Sequence, residues 1–545
     1  MGEEIVFVRR ASGLIKEIGP WTVMTIGLAY VIADGIYNLT EWQLYEHPGA
    51  NYPLSLVMGF IMLAFAAFSV VFLTVAMPRT ASDYVAISRV LHPLLGYIEA
   101  ILAWACHVWI VGALAYFQGW YWGSFLIQTG YALHIPEWVS LGEWMSSSVE
   151  VGIGLGIFFI VVFSITNILG IRVFKYLVNF LVAVAIIGGI VTVGAGIWGL
   201  MMGPGAVKNL WDATYGAGAY EEIVRVATQS GWADYIKSMT GDPNMWGWPG
   251  GWSWGPTMAA VVAAAYAFWG MEFSNYLAGE VSRPKKSFLY GVSGAMIFIL
   301  IYYLLLAVPT LLVYGQFNSY YNYVMYGGRG VDQVSINPVQ TPTLAVMLAS
   351  LVGGVAPWAA MIITFTVAIW VLNGLPVYMI IPSRITFALA FDRFAPKFLA
   401  DVNRRFSTPH WSILLTMVAS IILVFLAAVN PWIYAISVVT MVIIRWLLAS
   451  WSAMLLPYFR PRAFESGYTG RIAGIPIVSI VGFIGSAFMT WLLTEAIGEV
   501  AGDMISFWWL VGWIIFASLL FLAYAAYNKS KGIEVEKIFK EVPPA

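Results

Sequence analysis

Long apolar runs separated by short polar connectors fill almost the whole chain. A helix needs roughly 20 mostly apolar residues to cross a bilayer. The pattern therefore predicts spans near 21–40, 54–77, 95–128, 149–169, 176–202, 256–277, 288–314, 343–390, 410–429, 431–457, 474–497 and 503–527. That is an all-α integral membrane protein with twelve transmembrane helices. The third and eighth runs exceed one crossing, and Pro376 and Pro382 are expected to kink the eighth. Residues 1–20 read as an N-terminal segment, 21–527 as the helical domain and 528–545 as a charged tail. Two connectors are long. Residues 203–255 hold a polar stretch, Tyr220 to Lys237, that predicts a surface helix, then a Trp- and Gly-rich run from Trp246 to Trp254. That run reads as an aromatic belt at the membrane interface. Residues 315–342 form the second long connector, polar and rich in tyrosine.

Composition agrees with this reading. The 545 residues are 60% hydrophobic and only 10% charged, against about 25% charged in soluble domains. Charge asymmetry orients the chain. With the N-terminus inside, 22 of the 27 Lys and Arg fall in inner segments. Only Lys208, Arg225, Lys237 and Arg329 fall outside, and Arg445 sits within a helix. Such a bias predicts both termini in the cytoplasm, and the expected location is the cell membrane. The first sixteen residues lack the apolar core of a signal peptide. A single cysteine, Cys106, excludes an intrachain disulfide and a cysteine-based metal cluster. No basic tract suggests nucleic acid. No metal or cofactor motif appears, and no enzyme signature survives. Gly251-Trp252-Ser253-Trp254-Gly255 fits a serine-hydrolase pattern, but without the strand that such an elbow requires.

Two apolar runs are interrupted. The first contains Val31-Ile32-Ala33-Asp34-Gly35-Ile36-Tyr37 and the sixth Phe268-Trp269-Gly270-Met271-Glu272. Each combines a carboxylate with a glycine at membrane depth. Charge there is expensive and usually functional. Paired interruptions in two halves of a chain point to a transporter's binding site.

Four stretches then resemble the amino acid–polyamine–organocation (APC) superfamily of secondary transporters. They are Met77-Pro78-Arg79-Thr80-Ala81-Ser82-Asp83-Tyr84-Val85-Ala86-Ile87-Ser88-Arg89, and Thr166-Asn167-Ile168-Leu169-Gly170-Ile171-Arg172. The third is Gly270-Met271-Glu272 with Ala278-Gly279-Glu280-Val281-Ser282-Arg283-Pro284-Lys285-Lys286, and the fourth runs from Ser383-Arg384 through Asp392-Arg393-Phe394-Ala395-Pro396 to Ser407-Thr408-Pro409. The resemblance implies a LeuT-type fold: a 5+5 inverted repeat, helices 1 and 6 unwound at mid-membrane, and two peripheral helices. It departs at Ala33-Asp34-Gly35, where the family has Gly-Ser-Gly, and at Ala81-Ser82, where it has two glycines.

The resemblance places substrate between the two interruptions, held by backbone groups of Ile32, Ala33, Asp34 and Gly35 and of Phe268, Trp269 and Gly270. Asp34 is open to three readings: an amine ligand, a proton or cation site, or a structural partner of Arg445. Glu272 matches a glutamate linked to protonation in related exchangers, or it ties helix 6 to a neighbour. His107 and Val111 fall on the pocket face of helix 3, His107 as a substrate contact or as a satisfied interhelical histidine. Tyr266, Phe268 and Trp269 flank the second interruption. Tyr378 and Asn373 are pocket candidates on helix 8. Arg445 needs a carboxylate nearby, expected to be Asp34 or Glu272. The function expected is symport or exchange of amino acids or related amines, with a cationic amino acid or polyamine favoured and H+ or Na+ as coupling ion. The rival reading is a membrane sensor or scaffold of the same fold that does not transport.

Overall fold

The computed structural model describes residues 7–8, 11–32, 35–334, 343–430 and 435–544. Among these, eleven helices are long and apolar enough to cross a membrane. The twelfth crossing is the sixth run, which is built in two pieces and so is not one continuous helix. The spans in order are Pro20–Val31 with Gly35–Glu46, Tyr52–Ala76, Pro93–Tyr116 with Gln118–Leu133, Val149–Ile168, Ile171–Met202, Trp254–Tyr266 with Phe273–Glu280, Pro284–Tyr314, Pro357–Phe391, His410–Val429, Ala435–Phe459, Ile477–Gly502 and Met504–Ser530. Local chemistry sets many starts. Pro20, Pro93, Pro284 and Pro357 each occupy a first helical position, where proline's missing N–H is harmless. Asn51, Ser148 and Asp503 cap the second, fourth and twelfth spans through their side chains.

Burial sorts the spans into a centre and a rim. The first, third and eighth are buried along most of their apolar length, whereas the fourth, ninth and twelfth have a third of it or less buried. Phe158, Ile187, Ile190, Ile422 and Leu519 stand out on the rim helices. In water such an apolar surface would be a liability; against lipid chains it is the surface a membrane protein needs. The interrupted helices head the first and second sets of five spans. The eleventh packs on the second and tenth, and the twelfth on the third.

Two expectations need correction, and the expected interruption of the sixth span is present. The run 343–390 is two helices, Leu344–Gly353 and Pro357–Phe391. Gly353-Gly354 ends the first, and Pro357 starts the second. The sixth span is α-helical only to Tyr266, and tight 3₁₀ turns follow from Phe273 to Glu280. The connector 203–255 holds three helices, not one: Val207–Tyr215, Ala219–Gln229 and Trp232–Thr240. Its Trp-rich run lies on the turn between the first two spans, where Trp248 and Ser253 donate backbone N–H groups to Ala50 and Gly49. Tyr45 stacks on Tyr235, and Asn322 of the second connector donates to buried Glu41 at 2.6 Å. The two long connectors thus form a cap on the C-terminal end of the first span.

Ion pairs order the opposite face. Arg384 forks onto Glu280 at 2.8 and 3.1 Å with both fully buried. Arg89 meets Asp392 at 2.7 Å, and Tyr84 donates to the same carboxylate. Glu17, just before the first span, binds Arg172 and Lys175 at the start of the fifth. Those hydrogen bonds, first Arg172's and then Lys175's, hold the Glu17 carboxyl at about 2, below its ordinary 4.5. A carboxylate held low stabilises the fold fully above its unfolded value, and the contribution fades as pH falls through the folded one. The protein is therefore expected to lose thermal stability between about pH 4.5 and 2. Glu17→Gln is expected to flatten part of that loss in a pH series of melting curves, and an unchanged slope would show that the pair contributes nothing.

Candidate functional site

The two interruptions meet. The first helix ends at Val31, Ile32 forms a turn, and a new helix starts at Gly35. Ala33 and Asp34 lie outside the described residues. In the sixth span, Gly270 takes a left-handed φ of +99°, a region that suits glycine and strains other residues. A Cβ there would collide with the ring of Tyr30. The second interruption therefore folds flat against the last turn of the first helix. Gly35 makes the reverse approach: a Cβ on it would lie 3.1 Å from the Ala267 carbonyl. The Tyr303 hydroxyl, from the seventh span, fastens the junction. It lies 3.0 Å from the Val31 carbonyl and 2.9 Å from that of Ala267, the two carbonyls freed where the helices stop.

Tyr30 is the hub. Its ring touches Tyr378, Phe273, Trp269 and His107, with centroids 4.1 to 5.8 Å away. Tyr378 of the eighth span donates to the Tyr30 carbonyl at 2.7 Å. His107 is bonded at both ring nitrogens, Nδ1 to the Ala103 carbonyl at 2.6 Å and Nε2 to the Tyr30 hydroxyl at 3.0 Å. A carbonyl only accepts, so Nδ1 carries a hydrogen and Nε2 of the neutral ring accepts from Tyr30. His107 is thus an interhelical clamp on the helix that carries the first interruption. Val111 is buried one turn further along the third span. Tyr266, half-buried, leans on Trp269 at 5.2 Å. Phe268 turns elsewhere, between Phe60 of the second span and Tyr303. The buried polar groups without a hydrogen-bond partner among the described residues include the indole N–H of Trp269, inside the second interruption, and the whole amide of Asn373 on the eighth span. Leaving such groups unmatched costs about 1–3 kcal/mol each, which a polar ligand at the junction would offset.

A second cluster lies behind the sixth-span interruption. Arg445 of the tenth span reaches Asp83 at 2.6 Å and Glu272 at 2.8 Å. Trp446 donates to the same Glu272 oxygen at 2.8 Å. The guanidinium stands 4.1 Å above the Phe273 ring. The carboxylate that Arg445 needs is thus supplied by Glu272 together with Asp83. Asp83, Glu99, Tyr30 and Tyr303 were not singled out from the sequence. Asp83 lies within a quoted motif, and Glu99 is a carboxylate inside an apolar run, the same signal that marked Asp34 and Glu272. Tyr30 and Tyr303 carried no such mark.

Two broken helices joined inside a bundle of membrane spans are the arrangement of a membrane transporter's binding site. The chain belongs to the amino acid permease family, within the APC superfamily: the model for "Amino acid permease" matches residues 18–536. It is accordingly a multi-pass membrane transporter of amino acids or related amines. A comparison with curated proteins finds no match.

Proposed function

We propose that the protein is a secondary active transporter, a symporter or exchanger working by alternating access in the cell membrane, with both termini cytoplasmic. The observation that carries this is the Tyr303 hydroxyl bound to the carbonyl ends of both broken helices. A site assembled from two helix ends can be opened by tilting one set of spans against the other. Backbone groups at Ile32–Gly35 and Phe268–Gly270 hold the polar head of the substrate, and Trp269, Tyr378 and Asn373 face it. Asp34 in the first interruption directs the preference toward cationic amino acids and polyamines, because a carboxylate there attracts the additional ammonium or guanidinium that neutral and acidic amino acids lack. Glu272, by resemblance, and Asp34, as a carboxylate at membrane depth, are the candidate coupling residues.

Proteoliposomes holding the purified protein are expected to show saturable uptake of lysine, arginine or putrescine, reduced at least tenfold in Asp34→Asn. Uptake confined to neutral or acidic amino acids and indifferent to Asp34→Asn would sink the cationic preference. A substrate panel giving neither flux nor thermal stabilisation would favour the sensor reading.

A further inference from the structure

The cluster behind the sixth span is out of charge balance. Asp83, Glu99 and Glu272 are three carboxylates, each no more than 1% exposed, and Arg445 is the guanidinium among them. Asp83 and Arg445 act on Glu99 electrostatically. Arg89, on the same short helix as Asp83, is committed to Asp392 at 2.7 Å and adds nothing to the balance. With all three acids ionised, the cluster would hold two net negative charges away from water. Burying an uncompensated ion costs several kcal/mol, and a group in that position takes up a proton instead.

Geometry says which group. Asp83 and Glu272 each receive a direct hydrogen bond from Arg445. Glu99 receives none from it: its Oε1 has only the Tyr276 hydroxyl at 3.4 Å, and its Oε2 has no partner among the described residues. We propose that Glu99 is a proton-binding site, and that its proton is the one coupled to movement of the sixth span.

The wiring is short. Tyr276 and Glu272 belong to the segment after the interruption. The Tyr276 ring lies 5.4 Å from the Arg445 guanidinium and 5.9 Å from the His107 ring. His107 stands two turns from Glu99 on the same face of the third span and holds Tyr30. On its own helix Cys106, a buried free cysteine, follows about two turns along. When Glu99 gives its proton to water, Arg445 faces a third anion, and its hold on Glu272 weakens. A charge change on the third span thereby shifts the segment that frames the substrate junction, a local electrostatic event with a wider readout.

This rests on the transporter reading, and the test separates the two. The full-length protein is placed in lipid nanodiscs, and the infrared band of protonated carboxyl groups is followed as pH is raised. The wild type is expected to lose a carboxyl band in one titration, and Glu99→Gln is expected to lack that band altogether. Asp83→Asn, which removes one competing anion, is expected to lower the midpoint by about one pH unit or more; it also decides the matter should Glu99→Gln not be recovered folded. A band that survives Glu99→Gln, or a midpoint unmoved by Asp83→Asn, overturns the proposal. Flux of an amino-acid mixture is measured in parallel. Band loss in Glu99→Gln without wild-type flux keeps the proton site and removes the transport reading; wild-type flux with an unaltered band removes the proton site alone.

Discussion

Arg445→Met is expected to yield little or no folded protein, the largest effect of any single substitution in the bundle. The side chain is 2% exposed and both its carboxylate partners are fully buried. Removing one member of a buried ion pair costs about 3–5 kcal/mol, because the other charge stays behind. Here two partners are stranded together, with Glu99 beside them. Against a total stability of about 5–15 kcal/mol, that loss consumes most of the margin. The guanidinium also leaves the faces of Phe273 and Tyr276, at 4.1 and 5.4 Å, and with them a cation–π contribution. Arg445→Lys is expected to fall between, since one compact ammonium cannot fork toward two carboxylates from two directions. The cause can be isolated. The triple variant Arg445→Met, Asp83→Asn, Glu272→Gln carries no stranded ion at these positions and is expected to fold better than Arg445→Met alone. Monodispersity and melting temperature in detergent report the outcome. A wild-type melting curve for Arg445→Met would mean that the network contributes nothing to the fold.

How much of this was legible in the sequence depends on the physics behind each part. Span positions were, because crossing oil demands an apolar length and leaves a plain record. Helix starts near Pro20, Pro93 and Pro284 fell close to the ends of the apolar runs, and proline suits a first helical position. The interruption at Gly270-Met271-Glu272 announced itself by residues that a lipid-facing helix would not keep. The need of Arg445 for a carboxylate followed from the cost of a lone buried charge. What stayed hidden was pairing between distant segments. Asp83 precedes Arg445 by 362 positions, and nothing local says that they meet. Tyr303 and Tyr30 looked like ordinary apolar-run tyrosines until the backbone carbonyls that they touch were in place. The division of the run 343–390 was missed for a different reason: hydropathy stays high through Gly353-Gly354, so the break lies in the glycines and Pro357, not in polarity. Asp34, the residue most prominent in the sequence, lies outside the described residues, and its role rests on sequence and family alone.

Gly270→Ala is expected to abolish transport while leaving a protein that still inserts in the membrane. The position combines two independent demands. Its φ of +99° is one that a residue with a Cβ adopts only under strain, of order 1–3 kcal/mol. The added Cβ also has nowhere to go, because the Tyr30 ring fills the space. That ring is wedged among Tyr378 at 4.1 Å, Phe273 at 4.5 Å and Trp269 at 5.7 Å. Moving it would also strain the hydroxyl's bond to His107 and the bond from Tyr378 to the Tyr30 carbonyl. Relief would instead come from opening the gap between the two interruptions, which is the geometry that a substrate has to find. A penalty of about 2–3 kcal/mol on the competent state lowers uptake by roughly 30- to 150-fold. Gly512→Ala is the matched control. A Cβ there meets nothing within 4 Å, and alanine is the better helix former by about 1 kcal/mol. Gly512→Ala is expected to transport like the wild type and to melt no lower. Equal uptake by the Gly270 and Gly512 variants would show that close contact between the first and sixth helices is dispensable, and that substrate is held somewhere other than at their junction.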